Sequence, residues 1–333
     1  MKAAVFTEIK KPIVIQSVAD PVAGPGQAVV RLKAAALNHR DLWIQLGLYA
    51  NIKFPLIPGS DGAGVVESVG SDGDKSWLGK DVIIFPSLDW GSDPRAQGPA
   101  FRILGMPDNG TFAEKIVIPV ANLAVKPAHL AWEQAAALPL AGLTAWRALF
   151  TRAQLQAGER VLVTGVGGGA ALFALQFAAA AGASVWVTSS SAEKIARAGE
   201  LGARGGVNYR DADWHTKLSH EAGGFFDVIV DSAGGEGFAK LIELTKPGGR
   251  IAFFGATVGN PPGIDLRKCF FRQINVLGTT MGSPVDFAGM TALVESQRLT
   301  PIVDRVFPLD QTEAALRHME AAAQFGKVVL QCG

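Results

Sequence analysis

Val161-Leu162-Val163-Thr164-Gly165-Val166-Gly167-Gly168-Gly169 runs directly into an Ala/Leu/Phe-rich segment over 170–181. The first four residues read as a buried β-strand, and the segment as a helix stopped by Gly182-Ala183. Ser184-Val185-Trp186-Val187-Thr188 then reads as a second strand. Strand, glycine turn, helix and strand make a βαβ unit. Residues without Cβ let the backbone turn tightly and let a pyrophosphate approach the helix N-terminus, whose N–H groups attract it. Gly165-x-Gly167 followed by Ala170 is an imperfect Gly-x-Gly-x-x-Gly/Ala match, supported by the strand before it and the helix after it. No charged residue lies between Arg160 and Glu193, so a membrane helix is the competing reading. The glycines cut the span well short of the roughly 20 residues that a crossing needs.

At 333 residues the chain exceeds one ordinary core, so two domains are expected. The balance of 31 basic and 30 acidic residues provides no field for nucleic acid or an anionic membrane. Cys269 and Cys332 are too few for a disulfide framework and suit a reducing compartment. Lys2, Glu8, Lys10 and Lys11 break any secretory h-region, which makes the cytoplasm the expected location.

Residues 1–124 read as β-rich, with short strands near Ala3-Ala4-Val5-Phe6 and Ile13-Val14-Ile15 and a longer one from Ala28. A short helix or turn begins at Asn38-His39-Arg40-Asp41. Pro55 to Gly64 holds enough proline and glycine to read as a defined loop, with a strand following from Val65. Residues 87–110 read as a surface loop. From 125 to 282, βα units alternate, and six strands are expected in the parallel order 3-2-1-4-5-6. Residues 283–333 hold two helices and strands at 302–307 and 327–330.

The order of Asn38-His39-Arg40-Asp41-Leu42, Pro58-Gly59-Ser60-Asp61-Gly62-Ala63-Gly64, Leu143-Thr144-Ala145-Trp146 and Gly326-Lys327-Val328-Val329-Leu330 resembles the medium-chain dehydrogenase/reductase superfamily. It is most similar to the superfamily's zinc-free, quinone oxidoreductase-like branch. The resemblance implies an α/β protein in which a Rossmann doubly wound parallel sheet (125–282) is inserted in a GroES-like β-rich substrate domain (1–124 and 283–333). It also implies a homodimer. Where the superfamily's zinc enzymes carry metal ligands, the matching positions are Asn38, Ser60 and Leu140. Amide, hydroxyl and isobutyl side chains do not make a tetrahedral zinc site, so no catalytic metal is expected. Residues 87–110 also lack the four cysteines of the family's structural-zinc lobe.

Asn38 and Asp41 match the family's Asn-x-x-Asp pattern beside the nicotinamide, and with Tyr49 they are the catalytic candidates. Asp41 equally suits a buried partner for a backbone amide or Arg40, and Tyr49 equally suits core packing. Gly165, Gly167, Gly168 and Gly169 are placed around the pyrophosphate. An NAD-selecting fold usually ends its second strand with a carboxylate for the ribose 2′-OH. Here Ser189, Ser190 and Ser191 stand there, followed by Lys194 and later Tyr209, a set that suits the 2′-phosphate of NADP. Thr144 resembles the family threonine near the nicotinamide, with back-bonding to its own helix as the alternative. Ser232, Gly255, Ala256, Thr257, Gly278 and Thr279 lie at expected strand C-termini, where the cofactor should sit.

Without zinc to stabilise an alkoxide, alcohol oxidation is disfavoured. Hydride delivery to a quinone or an α,β-unsaturated carbonyl asks only for hydrogen-bond donors at the developing oxygen. The expected activity is NADPH-dependent reduction of such a compound. The alternatives are a zinc-independent alcohol or aldehyde dehydrogenase, and a non-catalytic NADP-binding structural or regulatory protein.

Overall fold

The computed structural model describes residues 1–333. The chain divides into one unit formed by 1–141 and 282–333 and a second formed by 142–281. The first boundary was expected at 124/125 and falls instead at 141/142. Helix Trp132–Ala137 packs against the strands of the first unit, burying Ala135, Ala136 and Ala137, so the β-to-α change in pattern precedes the true boundary.

The first unit is built on a seven-stranded sheet. Its path runs Val303–Pro308, Lys327–Gln331, Gln27–Ala36, Asp61–Val69, Asp81–Ile84 and Leu123–Val125, with Lys115–Pro119 also pairing on Gln27–Ala36. The long strand Gln27–Ala36 can serve three neighbours because its register shifts twice, which bends it. The strand expected from Val65 begins at Asp61. Gly62 and Gly64 read locally as turn residues, yet they pair antiparallel with Ala35 and Leu32. A Cβ on Gly64 would lie 2.1 Å from the Arg31 carbonyl oxygen, so the glycine is what permits this pairing. The core beneath includes Phe6, Leu32, Ile44, Leu56, Ile84, Phe112 and Leu330.

The segment before Asp61 is braced from one side. Gly110, Thr111 and Phe112 donate their N–H groups to the carbonyls of Ile57, Gly59 and Pro58, and the Thr111 hydroxyl donates to Asp61 O at 2.7 Å. The loop over 87–110 is pinned where the zinc enzymes would use cysteines. Arg102 pairs with Asp89 and Asp108, and Trp90 meets Phe101 edge-on at 5.3 Å.

The second unit carries the parallel sheet. Its strands are Arg160–Val163, Ser184–Ser189, Ala203–Asn208, Phe226–Asp231, Thr245–Phe253 and Asn275–Gly278, and their spatial order is 3-2-1-4-5-6. Val161, Leu162, Val228, Ile229 and Val230 are almost completely buried, as strands covered on both faces require. Helix Gly169–Ala180 is all small or apolar apart from Gln176, and it buries Leu172, Leu175 and Phe177.

Gly110 is the tightest point of the brace, since an added Cβ would lie 1.9 Å from Gly59 O. Gly110→Ala is expected to destabilise the first unit by about 1–3 kcal/mol or more, because the neighbour that must yield is backbone. Denaturant unfolding monitored against the wild type measures this.

Candidate functional site

In the first unit a polar cluster grows from the junction of strand Gln27–Ala36 and helix His39–Gln45. Asn38 precedes the helix, and its N–H donates to Asp41 Oδ2 at 2.8 Å, which leaves its side chain for other partners. Asn38 Oδ1 accepts from Lys327 Nζ at 2.7 Å, and Asn38 Nδ2 donates to Asp61 Oδ2 at 2.9 Å. Lys327 also donates to Leu37 O at 2.6 Å and to Asp61 Oδ2 at 2.9 Å. Asp61 Oδ1 accepts the Leu140 N–H at 2.7 Å. Lys327 is 4% exposed and Asp61 fully buried, so this ion pair persists only because its hydrogen-bonding groups are satisfied.

Two further buried charged residues, Arg40 and Asp41, adjoin it. Arg40 donates to Ser60 Oγ and Leu104 O, both at 2.8 Å, and its guanidinium lies 5.5 Å from the centre of the Tyr49 ring. Burial raises the Asp41 carboxyl from 3.8 to about 6, against the partial relief offered by Arg40. Asp41 Oδ1 has no hydrogen-bond partner. The structure thus gives Asp41 the backbone-amide partner that was one of its two readings, and packs the half-buried Tyr49 against the core.

These residues do not fit a zinc ion. Ser60 Oγ donates to Leu104 O at 2.7 Å while accepting from Arg40, and the Asn38 oxygen is held by an ammonium. Leu140 has no side-chain donor, and its N–H is committed to Asp61. A divalent cation would meet the Lys327 charge and no thiolate or imidazole.

In the second unit the glycine turn takes the backbone conformation its sequence allows. Gly165 has φ +63° and Gly167 φ +129°, and Gly168 precedes helix Gly169–Ala180. A Cβ on Gly167 would lie 2.9 Å from Cδ of Lys194, so that lysine reaches across the turn. Ser191 Oγ accepts the Lys194 N–H, and Ser189 Oγ accepts the Ser191 N–H. Each hydroxyl accepts with a lone pair and keeps its O–H to donate. Tyr209 N donates to Ser189 O, so Ser189, Ser191, Lys194 and Tyr209 gather at one strand end, with half-buried Ser190 between the two serines. Across the sheet, the Thr164 hydroxyl donates to buried Asp231 at 2.6 Å, tying together the first and fourth strands. Thr257 donates through both N and Oγ1 to Ser232 O, and a Cβ on Gly255 would lie 2.8 Å from that oxygen. Ser232, Gly255, Ala256 and Thr257 therefore form a second group. Gly278 and Thr279 end the sixth strand, where Thr279 N donates to Phe253 O. Thr144 is buried on helix Pro139–Trp146.

The sequence reading missed Lys327 and Asp61 as site residues. The available signal was a lysine opening the otherwise apolar strand Lys327-Val328-Val329-Leu330.

A parallel 3-2-1-4-5-6 sheet with a glycine turn after its first strand, joined in one chain to a β-rich unit, defines a nucleotide-binding α/β class. Residues 24–128 match the alcohol dehydrogenase GroES-like domain, and 169–296 match the zinc-binding dehydrogenase family. The chain belongs to the medium-chain dehydrogenase/reductase superfamily and is an oxidoreductase of that family. It is 34% identical to a zinc-type alcohol dehydrogenase-like protein, YogA, of Leptosphaeria maculans, over 99% of this chain and 97% of that one. It is 28% identical to a crotonyl-CoA reductase of Streptomyces collinus, over 97% of this chain and 82% of that one. The crystal structure of an NAD-dependent alcohol dehydrogenase matches with a TM-score of 0.94 at 38% identity, covering all of both chains.

Asp41 also sets a pH dependence. With its folded value raised to about 6, the folded state holds a proton that the unfolded state releases near 3.8, so this group's contribution to stability falls as pH rises between the two. Asp41→Asn keeps an acceptor for Asn38 and has no charge to bury. Its stability relative to wild type is therefore expected to improve as pH rises from about 4 to 6 and to level off above that. Paired melting curves across that window measure the change.

Proposed function

We propose that the protein is an NADPH-dependent, metal-free reductase of quinones or α,β-unsaturated carbonyl compounds. The observation that carries this reading is the cluster at the family's metal position, where a lysine, an aspartate and an asparagine satisfy one another and leave an amide N–H to donate. Such a donor suits a carbonyl oxygen that gains negative charge as its conjugated carbon accepts hydride. NADPH, when bound, supplies that hydride. The serine hydroxyls and Lys194 are positioned to hold the 2′-phosphate, and the turn from Gly165 to Gly169 the pyrophosphate. The crotonyl-CoA reductase relative supports the substrate class, since a crotonyl group is an α,β-unsaturated acyl group. The similarity to an NAD-dependent alcohol dehydrogenase favours a second reading, NAD-linked alcohol oxidation. A cytoplasmic location goes with the first reading, and no helix is long and apolar enough to cross a membrane.

A homodimer accompanies this proposal. The sixth strand, Asn275–Gly278, is a sheet edge, and Leu266, Phe270 and Phe271 on the preceding helix are 66–85% exposed. An open edge beside exposed phenylalanines suits pairing with a second copy. Light scattering at micromolar concentration is expected to give twice the chain mass of 34.9 kDa, whereas a monomer mass would refute this.

Cofactor consumption tests the function itself. With a panel of quinones, enones and alcohols, NADPH is expected to be oxidised by the first two classes, undiminished by a chelator. A charge-assisted hydrogen bond contributes about 1.5–3 kcal/mol, so NADPH should exceed NADH in kcat/KM by roughly 10- to 150-fold. Lys194→Ala should remove most of that ratio and leave NADH kinetics nearly unchanged. Equal use of both cofactors by the wild type, or NAD reduction with alcohols alone, would favour the second reading.

A further inference from the structure

Hydrogen-bond chemistry fixes which way the Asn38 carboxamide faces. An ammonium has three donors and no acceptor, and an ionised carboxylate only accepts. The atom of Asn38 beside Lys327 Nζ must therefore be its oxygen, and the atom beside Asp61 Oδ2 its nitrogen. The three Lys327 donors are all spent, on Leu37 O, Asn38 Oδ1 and Asp61 Oδ2. Lys327 has no proton left to give to a substrate. Asn38 has one, because only one of its two Nδ2 hydrogens has a partner, and the residue keeps 8% of its surface exposed.

We infer that Lys327 is a positioning residue which, with Asp61, locks the Asn38 carboxamide so that it presents an N–H donor, making the site selective for a carbonyl or quinone oxygen. This deepens the reductase reading and rests on it for the identity of the oxygen. A carboxamide that flips between two faces offers a donor only part of the time. One held between a cation and an anion, in an environment with little water to compete, offers it continuously. The neighbouring charge also polarises the amide. Lys327 withdraws electron density through Oδ1, which strengthens the remaining N–H as a donor to an oxygen that becomes anionic. The same lock explains why a lysine is tolerated in a buried strand, where an unpaired ammonium would be excluded.

Removing one partner alone would leave a buried charge and risk misfolding. The test therefore uses the double variant Lys327→Met/Asp61→Leu, in which apolar side chains replace both charges. It is expected to fold, with cooperative melting as in the wild type. Its kcat with the best carbonyl substrate should fall at least tenfold, while KM for NADPH stays within twofold. A second readout is independent of turnover: the side-chain amide protons of Asn38, assigned by nitrogen-15 NMR through their loss in Asn38→Ala. In the wild type the proton facing Asp61 should be protected from solvent exchange, and in the double variant this protection should drop at least tenfold. An unchanged kcat in the folded double variant, or unchanged protection, overturns the inference. A wild-type protein that protects this proton but reduces no carbonyl compound refutes the reductase reading, and the exchange comparison then decides the positioning role alone.

Discussion

Two unit charges hidden from water, on Lys327 and Asp61, constrain the first unit more than any other interaction. Removing ions of this size from water costs several kcal/mol each, and mutual attraction offsets that only when the remaining hydrogen-bonding groups are also matched. Here the ammonium finds three acceptors and the carboxylate three donors. Each partner comes from a different place: the end of one central strand, the start of another, a C-terminal strand, and the residue before Ala141. The pair can exist only when those segments are in register, so it ties the strand order to the geometry around Asn38.

The neighbouring charged residues, Arg40 and Asp41, are less completely matched and do not bond each other. One Asp41 oxygen and the Arg40 Nε lack partners, and burial pushes the Asp41 carboxyl up to about 6. Arg40 and Asp41 lie in the first turn of a short helix that Asn38 precedes, and Lys327 and Asp61 meet beside it. Four ionisable side chains are thus buried in a region that an ordinary core would fill with leucine and valine.

The second unit uses a different economy of charge. Its turn relies on backbone N–H groups and on glycines with positive φ, and the one cation at the turn, Lys194, lies over Gly167 rather than out in solvent. The second strand ends at Ser189, and the Ser191 hydroxyl just beyond it caps the next helix. In the 87–110 loop, Arg102 forms ion pairs with Asp89 and Asp108. Being largely exposed, they fix the path of the loop more than they stabilise it.

The dinucleotide unit was legible in the sequence because its determinants are local. An apolar β-branched run, a cluster of glycines and an alanine-rich helix each follow from neighbouring residues, and alternating β and α segments fix the parallel order. Asn38, Ser60 and Leu140 were recognisable as positions without metal ligands. The extent of the Asp61–Val69 strand was not, because Gly62 and Gly64 read locally as turn and become strand only through pairing with Gln27–Ala36. Nor was the first domain boundary, because a helix belongs to whichever surface buries its alanines. Lys327 is the clearest case. It lies 289 positions from Asn38, and its chemistry exists only once strand Lys327–Gln331 has paired with Gln27–Ala36. Local sequence specified the elements and the glycine turn; long-range strand pairing alone decided which buried charges meet, and through them which atom Asn38 turns toward each charge.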